Sequence, residues 1–212
     1  MQWFNKDLQG LSGSGRAQDW NFAKSGSRLS DLSRQIRAAL LRYRADSKAG
    51  ELKGKICVIW VGSNNILYDH NFSIKKLKKQ LLESLGLLTT NLELAIVVLM
   101  TLPPLPPSLD TERTRRRRKD FNTLLHVVAA TYRWTELPQN VHIKLVEIPS
   151  PPEGDLTNYL SEIDGIHPNV EAQRLFAKAV WNGLFGKTYN NGQELKTDEW
   201  VSPTPDMAFA LS

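Results

Sequence analysis

The residues whose chemistry is most suggestive are Asp164 and His167, which stand three positions apart just before an apolar helical pattern. A carboxylate at this spacing can accept a hydrogen bond from one ring nitrogen and thereby fix the imidazole tautomer. The other ring nitrogen is then free to take a proton from a hydroxyl group, which is the general-base half of a nucleophilic triad. The same spacing is also typical of a capped helix start that carries an ordinary hydrogen-bonded histidine. The pair alone leaves both interpretations open.

Length and composition are those of an ordinary globular protein. The 212 residues suffice for one domain with a substantial core, and the longest apolar stretch, 94–100, has the length of a strand rather than of a membrane span. The amino terminus lacks the apolar core of a secretory signal, so a cytoplasmic location is the default expectation. Cys57 is the only cysteine, which excludes an internal disulfide, and the four histidines show no metal-ligand spacing.

Apolar periodicity predicts alternating strands and helices. Continuous apolar runs are typical of strands that are buried on both faces of a parallel sheet. Such strands are predicted at 55–61, 94–100 and 141–148, with a shorter one at 20–23. Helical spacing is found at about 27–49, 73–85, 112–133 and 172–184. The expected fold class is α/β, a three-layer sandwich with helices on both faces of a mainly parallel sheet.

Three candidate functional segments each follow a predicted strand. Gly26 follows the first strand, Asn64 follows the second, and Asp164 and His167 lie in the connection after the last. Because sites in open α/β sheets form beyond the carboxyl ends of strands, these segments are expected to share one crevice. Taken singly, Gly26 could be only a tight turn and Asn64 only a left-handed turn residue.

The order of these motifs resembles the SGNH (GDSL-type) hydrolase family. The segment NFAKSGS at 21–27 is similar to the family's second block and places its glycine at Gly26. The segment VGSNN at 61–65 is similar to the third block and places the functional asparagine at Asn64. The segment DGIHP at 164–168 is similar to the fifth block, which carries the Asp and His of the triad. The resemblance covers residues 20–185 and implies a flavodoxin-like SGNH hydrolase fold.

The resemblance implies acyl transfer from a small ester, with an acyl or acetyl group, through a serine acyl-enzyme. His167 would take the proton of the serine and pass it to the leaving alcohol, while Asp164 would orient the imidazole. The backbone N–H of Gly26 and the side-chain amide of Asn64 would stabilise the oxyanion. Neither a metal ion nor an organic cofactor is implied.

The sequence departs from the family pattern at two places. Asn65 stands where most members have Asp, which leaves a supporting hydrogen bond in question. The larger departure is that the first block, the Gly-Asp-Ser that carries the nucleophile, is not found. The serines nearest to these blocks lie on flexible or variable segments, which would not hold a nucleophile in place. None of them is nominated, and the nucleophile stays unknown. They are Ser12, Ser14, Ser25, Ser27 and Ser63.

Three explanations of the missing block stay open. The sequence could be an incomplete reading frame of a larger esterase, which we favour, or a degenerate relative that binds without turnover. Alternatively, a short segment such as residues 2–4 could patch the sheet. The resemblance places the missing strand centrally, so either 20–24 shifts to close a gap or an exposed edge remains. The expected organisation is a flexible lead-in at 1–18, the hydrolase-like domain at 19–186 and a loosely ordered tail at 187–212.

A run of cationic residues suggests an alternative function, binding rather than catalysis. Such runs supply phosphate contacts, so a non-catalytic binding module that contacts nucleic acid is the alternative function. The plainer interpretation, which we favour, is the solvated start of an amphipathic helix, because no RNA-binding motif accompanies the run. The residues are Arg113, Arg115, Arg116, Arg117, Arg118 and Lys119. The sequence does not determine the oligomeric state.

Overall fold

The computed structural model describes residues 20–46, 54–133, 141–149 and 156–185. Within these ranges the strands are β1 (Lys55–Ile59), β2 (Ala95–Met100) and β3 (Val141–Val146). The helices are α1 (Leu29–Ala45), α2 (Ser63–Tyr68), α3 (Ile74–Asn91), α4 (Glu112–Arg133) and α5 (Val170–Phe185). The expected lead-in at 1–18 and tail at 187–212 lie outside the described residues.

The three strands form one parallel sheet in the order β1-β2-β3. The register aligns Ile59 of β1 with Leu99 of β2, and Leu99 with Leu145 of β3. The carboxyl ends of all three strands therefore lie at the same edge. The connections that follow β1 and β3 both begin there, as the sequence predicted for the candidate site.

Alternate residues of β2 point into two separate apolar clusters. Val97 and Leu99 pack with buried residues of α1, α3 and α4, whereas Val98 and Met100 pack with α5. Every residue of β2 is buried, as expected of a strand that is covered on both faces. The three layers confirm the predicted α/β sandwich.

The prediction that β1 is covered on both faces is wrong. Val58 and Trp60 are 48% and 43% exposed, although Ile56 on the same face packs against the α5 cluster. The ring of Trp60 meets that of Phe176 on α5 edge-on, with centroids 5.2 Å apart. Helix α5 thus crosses only part of β1, which is the edge strand of the sheet among the described residues.

The predicted strand at 20–23 is also wrong. Asn21 Oδ1 accepts a hydrogen bond from the N–H of Ala23 at 3.0 Å, a local side-chain turn that competes with strand pairing. The guanidinium of Arg42 on α1 lies 5.4 Å from the centroid of the Trp20 ring. The segment packs beside α1 and does not close the sheet, so the outer edge of β1 stays open among the described residues.

Helix α2 was not predicted from the sequence. It is six residues long, which is too short to show a helical period. Gly62 precedes it with φ +127°, and a Cβ there would lie 2.6 Å from the Phe121 ring of α4. Glycine is therefore required by both backbone and packing. None of the helices in the described ranges has the length and apolar character needed to cross a membrane.

Candidate functional site

Gly26 occupies a tight turn between the segment beside α1 and the start of α1 itself. The N–H of Ser27 donates to the carbonyl of Lys24 at 3.2 Å, which closes a four-residue turn. Gly26 is the third residue of the turn and has φ +76°, where glycine is favoured because it lacks a Cβ. No atom lies within 4 Å of the position that a Cβ would take, so the requirement is conformational rather than steric.

Two consecutive asparagines tie this turn to the carboxyl end of β1. Asn64 Nδ2 donates to the carbonyl of Ser27 at 3.0 Å. Asn65 Oδ1 accepts from the N–H of Leu29 at 2.9 Å, and Asn65 is buried. The first N–H groups of a helix have no partner within it, so Asn65 satisfies one such donor of α1. Gly26 and Asn64 are thus held on adjoining segments, although residues 20–23 before Gly26 do not form the strand that the sequence predicted.

Asn65, which stands where most family members have Asp, makes a buried hydrogen bond. The hydrogen bond to Leu29 needs only an acceptor oxygen, and an amide oxygen accepts from a backbone N–H as a carboxylate oxygen does. The role of Asn65 was missed because its partner lies 36 residues earlier in the chain. The amide of Asn64 has two N–H donors, and only one is needed for Ser27.

Asp164 and His167 form a directly hydrogen-bonded pair. Asp164 Oδ2 lies 2.5 Å from His167 Nδ1, while Asp164 Oδ1 accepts from the backbone N–H groups of Ile166 at 2.9 Å and His167 at 3.0 Å. Nδ1 is therefore occupied by the carboxylate, and Nε2 is the ring nitrogen left for an incoming group. The imidazole side chain is 78% exposed, so Nε2 is open to solvent.

The same hydrogen bonds keep the Asp164 carboxylate ionised. Donation from the backbone N–H of His167, then from its side chain, then from the N–H of Ile166, lowers the pKa of Asp164 to about 2. These bonds favour the ionised form. Asp164 is thus an anion over the whole neutral range and can stabilise an imidazolium on His167 when it forms.

The loop that carries the pair is closed on itself. Leu160 and Pro168 form an isolated antiparallel bridge, and the N–H of Ser161 donates to the carbonyl of His167 at 2.7 Å. Asn169 caps α5 by accepting from the N–H of Ala172 at 3.1 Å. An asparagine directly before an apolar helical pattern is the sequence signal that could have revealed this cap.

The structure joins the predicted site residues in two pairs. One pair is Gly26 with Asn64, linked through Ser27, and the other is Asp164 with His167. Asn64 follows the carboxyl end of β1, and no hydrogen bond between described residues connects one pair to the other. The ring of Trp60, just after β1, contacts the ring of Phe176 on α5, the helix that follows His167.

None of the described serine hydroxyls is hydrogen-bonded to the His167 ring. Ser27 Oγ instead accepts from Gln35 Nε2 at 2.9 Å, and Ser63 is the first residue of α2. Ser12 and Ser14 lie outside the described residues. The described ranges also contain no group of three or more His, Cys, Asp or Glu residues placed to hold a metal ion.

Comparison with known proteins places this architecture in a family. The profile of the GDSL-like lipase/acylhydrolase family matches residues 3–180. No curated protein matches the chain significantly.

Two solved structures are similar in fold. The crystal structure of a carbohydrate esterase family 3 from Talaromyces cellulolyticus superposes with a TM-score of 0.52 at 16% identity, over 74% of this chain and 65% of that one. The crystal structure of an acetyl esterase mutant with acetate ion gives a TM-score of 0.49 at 16% identity, over 71% and 62%. The chain thus spans slightly less than two thirds of the length of either esterase. With the family profile matching most of its residues, this chain belongs to the GDSL-like lipase/acylhydrolases, and its three-layer α/β domain has the SGNH hydrolase fold.

Proposed function

We propose that this chain is an ester hydrolase domain that works through a serine acyl-enzyme. The observation that carries the proposal is the Asp164–His167 pair, in which Nδ1 is bound to an ionised carboxylate and Nε2 is left free. The imidazole side chain of His167 is 78% exposed, so its Nε2 is accessible to a substrate.

Each proposed group has a defined step. As the serine Oγ attacks the ester carbonyl, its proton passes to Nε2 of His167, and Asp164 stabilises the imidazolium. The tetrahedral oxyanion accepts hydrogen bonds from the N–H of Gly26 and from Asn64 Nδ2. Collapse of the intermediate breaks the bond to the alcohol, which leaves with the proton from Nε2. Water then attacks the acyl-serine by the same sequence of proton transfers.

The contacts around Asn64 support its part in this scheme. Its amide is held against the Ser27 carbonyl, which orients the group without using both of its donors. A donor that is fixed before the reaction needs no reorganisation as charge develops, and the loss of one such donor lowers the rate by about 10²–10³.

The nucleophile is proposed to come from a Gly-Asp-Ser block that the sequence given does not contain. None of the described serines that we considered, Ser25, Ser27 and Ser63, is hydrogen-bonded to His167. A small acetyl ester is the first substrate to test, because the family is one of acylhydrolases.

The same observation favours a second candidate, a non-catalytic binding module on the SGNH hydrolase fold. A base that is open to solvent and has no serine partner is what a degenerate member would retain. The two candidates differ in turnover alone, so an activity measurement separates them.

The test compares this chain with a form that is extended by the in-frame sequence preceding Met1 in its gene. Hydrolysis of 4-nitrophenyl acetate is measured for both forms, and a fluorophosphonate probe followed by peptide mapping identifies any reactive serine. We expect activity and labelling in the extended form, abolished by His167→Ala and retained by His142→Ala, an exposed histidine on β3. Inactivity of both forms would overturn the hydrolase proposal in favour of the binding module.

A further inference from the structure

The first two turns of α4 hold the densest charge in the described part of the chain. Six of the seven residues at 113–119 are Arg or Lys. The helix itself is anchored by other residues, because Phe121, Leu124 and Val128 are buried in the core. The apolar stripe explains why the helix packs against the core, but it does not explain why its first turns are cationic.

Two of the six cations have structural partners. Arg115 forms two hydrogen bonds to Asp110 Oδ2, at 2.8 and 3.2 Å. Arg117 Nη1 donates to the carbonyl of Ile66 at 2.9 Å, and its guanidinium lies 4.8 Å from the centroid of the Phe72 ring. These two side chains fasten α4 to its own capping turn and to the α2 region.

The other four cations form no ion pair or hydrogen bond among the described residues. Arg113, Arg116 and Lys119 are exposed, and Arg118 is half-buried with its Nε unpartnered. They are the cations of the run left free for a ligand, and this partition could not be read from the sequence.

Their position is electrostatically unfavourable for the isolated protein. The amino end of a helix carries a partial positive charge, so cations there are repelled rather than stabilised. Like charges three or four positions apart repel as well. The effect is visible at Arg117, whose pKa is lowered first by burial and then by Arg113. A bound anion would offset both the unfavourable helix dipole and the repulsion between the like charges.

Three of the four free cations, Arg116, Arg118 and Lys119, line one open groove, whereas Arg113 lies outside the lining. The groove begins at Glu112, its one acidic side chain, and continues to His126. From Glu112 to His126 the helix rises about 21 Å, at ~1.5 Å per residue. That length is comparable to about six successive phosphates of one DNA strand at ~3.4 Å each.

We propose that the free cationic face of α4, formed by the groove residues Arg116, Arg118 and Lys119, binds the phosphate backbone of nucleic acid. Guanidinium groups suit phosphate because their N–H donors are forked and the charge is permanent. A lipid surface fits less well, because the described part of this helix exposes only one large apolar side chain, Val127. Backbone contacts carry no base information, so the binding is independent of sequence.

The experiment measures fluorescence polarisation of labelled 20-base single-stranded and duplex DNA between low and moderate salt. Three phosphate contacts predict a slope of log K against log salt of about −2.1 to −2.7, from roughly −0.7 to −0.9 per contact. Arg116→Ser with Lys119→Ser should reduce the slope by about 2, at roughly one unit per phosphate contact. At 0.1 M salt this corresponds to roughly 10- to 100-fold weaker binding.

Lysines on α3 provide the matched control. Lys75→Ser with Lys78→Ser removes the same charge from two exposed positions of another helix, and we expect less than about a twofold change because these residues make no phosphate contacts. The α4 double variant should melt no lower than the unaltered protein, because the removed side chains have no partners. His167→Ala should bind DNA normally, which separates this proposal from the hydrolase proposal.

Three outcomes would overturn the proposal. The first is the absence of salt-dependent DNA binding, and the second is an equal loss in the α3 and α4 variants, which would indicate net charge alone. The third is binding to phosphatidylserine vesicles without binding to DNA, which would assign the face to a lipid surface.

Discussion

Asn65 Oδ1 accepts a hydrogen bond from the backbone N–H of Leu29 at 2.9 Å, inside the core. This bond connects the segment after β1 to the start of α1 and caps the helix with a side chain from elsewhere in the chain. The Gly26 turn and Asn64 are aligned through it. The bond should therefore matter to stability and to the geometry of the proposed oxyanion site together.

Asn65→Leu should destabilise the protein by about 1–3 kcal/mol, because it leaves the buried N–H of Leu29 unpaired. Asn65→Asp is the matched control, since it keeps an acceptor oxygen at similar volume, and it should retain most of the stability. Urea unfolding of the three proteins checks both statements. Equal losses in the two variants would contradict the prediction that the acceptor oxygen of residue 65 provides the stability.

The depressed pKa of Asp164 sets a pH dependence. Its folded value of about 2 lies below the ordinary value of 3.8, so the ionised carboxylate contributes stability above pH 3.8. That contribution is lost as the pH falls from about 4 to about 2. The carbon-13 resonance of the Asp164 carboxyl should titrate near pH 2.

His167→Ala tests the origin of that shift. The variant keeps the backbone donation, which is the largest cause, and loses the side-chain donation. The pKa should rise but stay below 3.8. A full return to 3.8 would contradict the assignment of the shift to the backbone N–H groups.

Gly62→Ala should be strongly destabilising. The added Cβ would lie 2.6 Å from the Phe121 ring at a φ of +127°, and strain with overpacking together amount to about 2–4 kcal/mol. Gly86→Ala is the control within α3, where no atom lies within 4 Å of the new Cβ. That variant should gain about 0.5–1 kcal/mol from reduced unfolded-state entropy. Thermal unfolding of both proteins provides the comparison.

β1 has no outer neighbour among the described strands, and this edge should promote self-association. Unpaired strand edges pair readily with other chains, and Val58 and Trp60 expose apolar surface on the adjoining face of the sheet. Val58→Lys should shift association to higher protein concentration in sedimentation velocity. Leu41→Lys, at a position 67% exposed on α1, should leave it unchanged. Identical behaviour of the two variants would argue against association through β1.

The sequence predicted best what local periodicity determines. The bounds of α4 agree with the structure because its apolar stripe through Phe121 is long and regular. β2 lies within the predicted run and is buried as expected. The Asp164–His167 pair was predictable because both residues and their bonds lie within one turn of chain.

Most of the features that the sequence failed to predict depend on residues that are distant in the sequence. Whether Val58 is covered depends on which strands and helices lie beside β1, and its own apolar run cannot show that. The 20–23 segment has strand-forming residues, but the Asn21 side chain closes a turn instead. The bond of Asn65 to Leu29 spans 36 positions, so its spacing contained no signal. Which of the α4 cations are free likewise depends on Asp110, Ile66 and Phe72.

Every hydrogen bond that the structure gives the Asp164 carboxylate comes from Ile166 or His167. Among the described residues, the imidazole is thus oriented by its own short loop and not by the sheet or a distant segment. Such a loop can form whether or not a serine lies beside it. The carboxylate–imidazole pair therefore does not by itself report a complete enzyme, and turnover is the measurement that does.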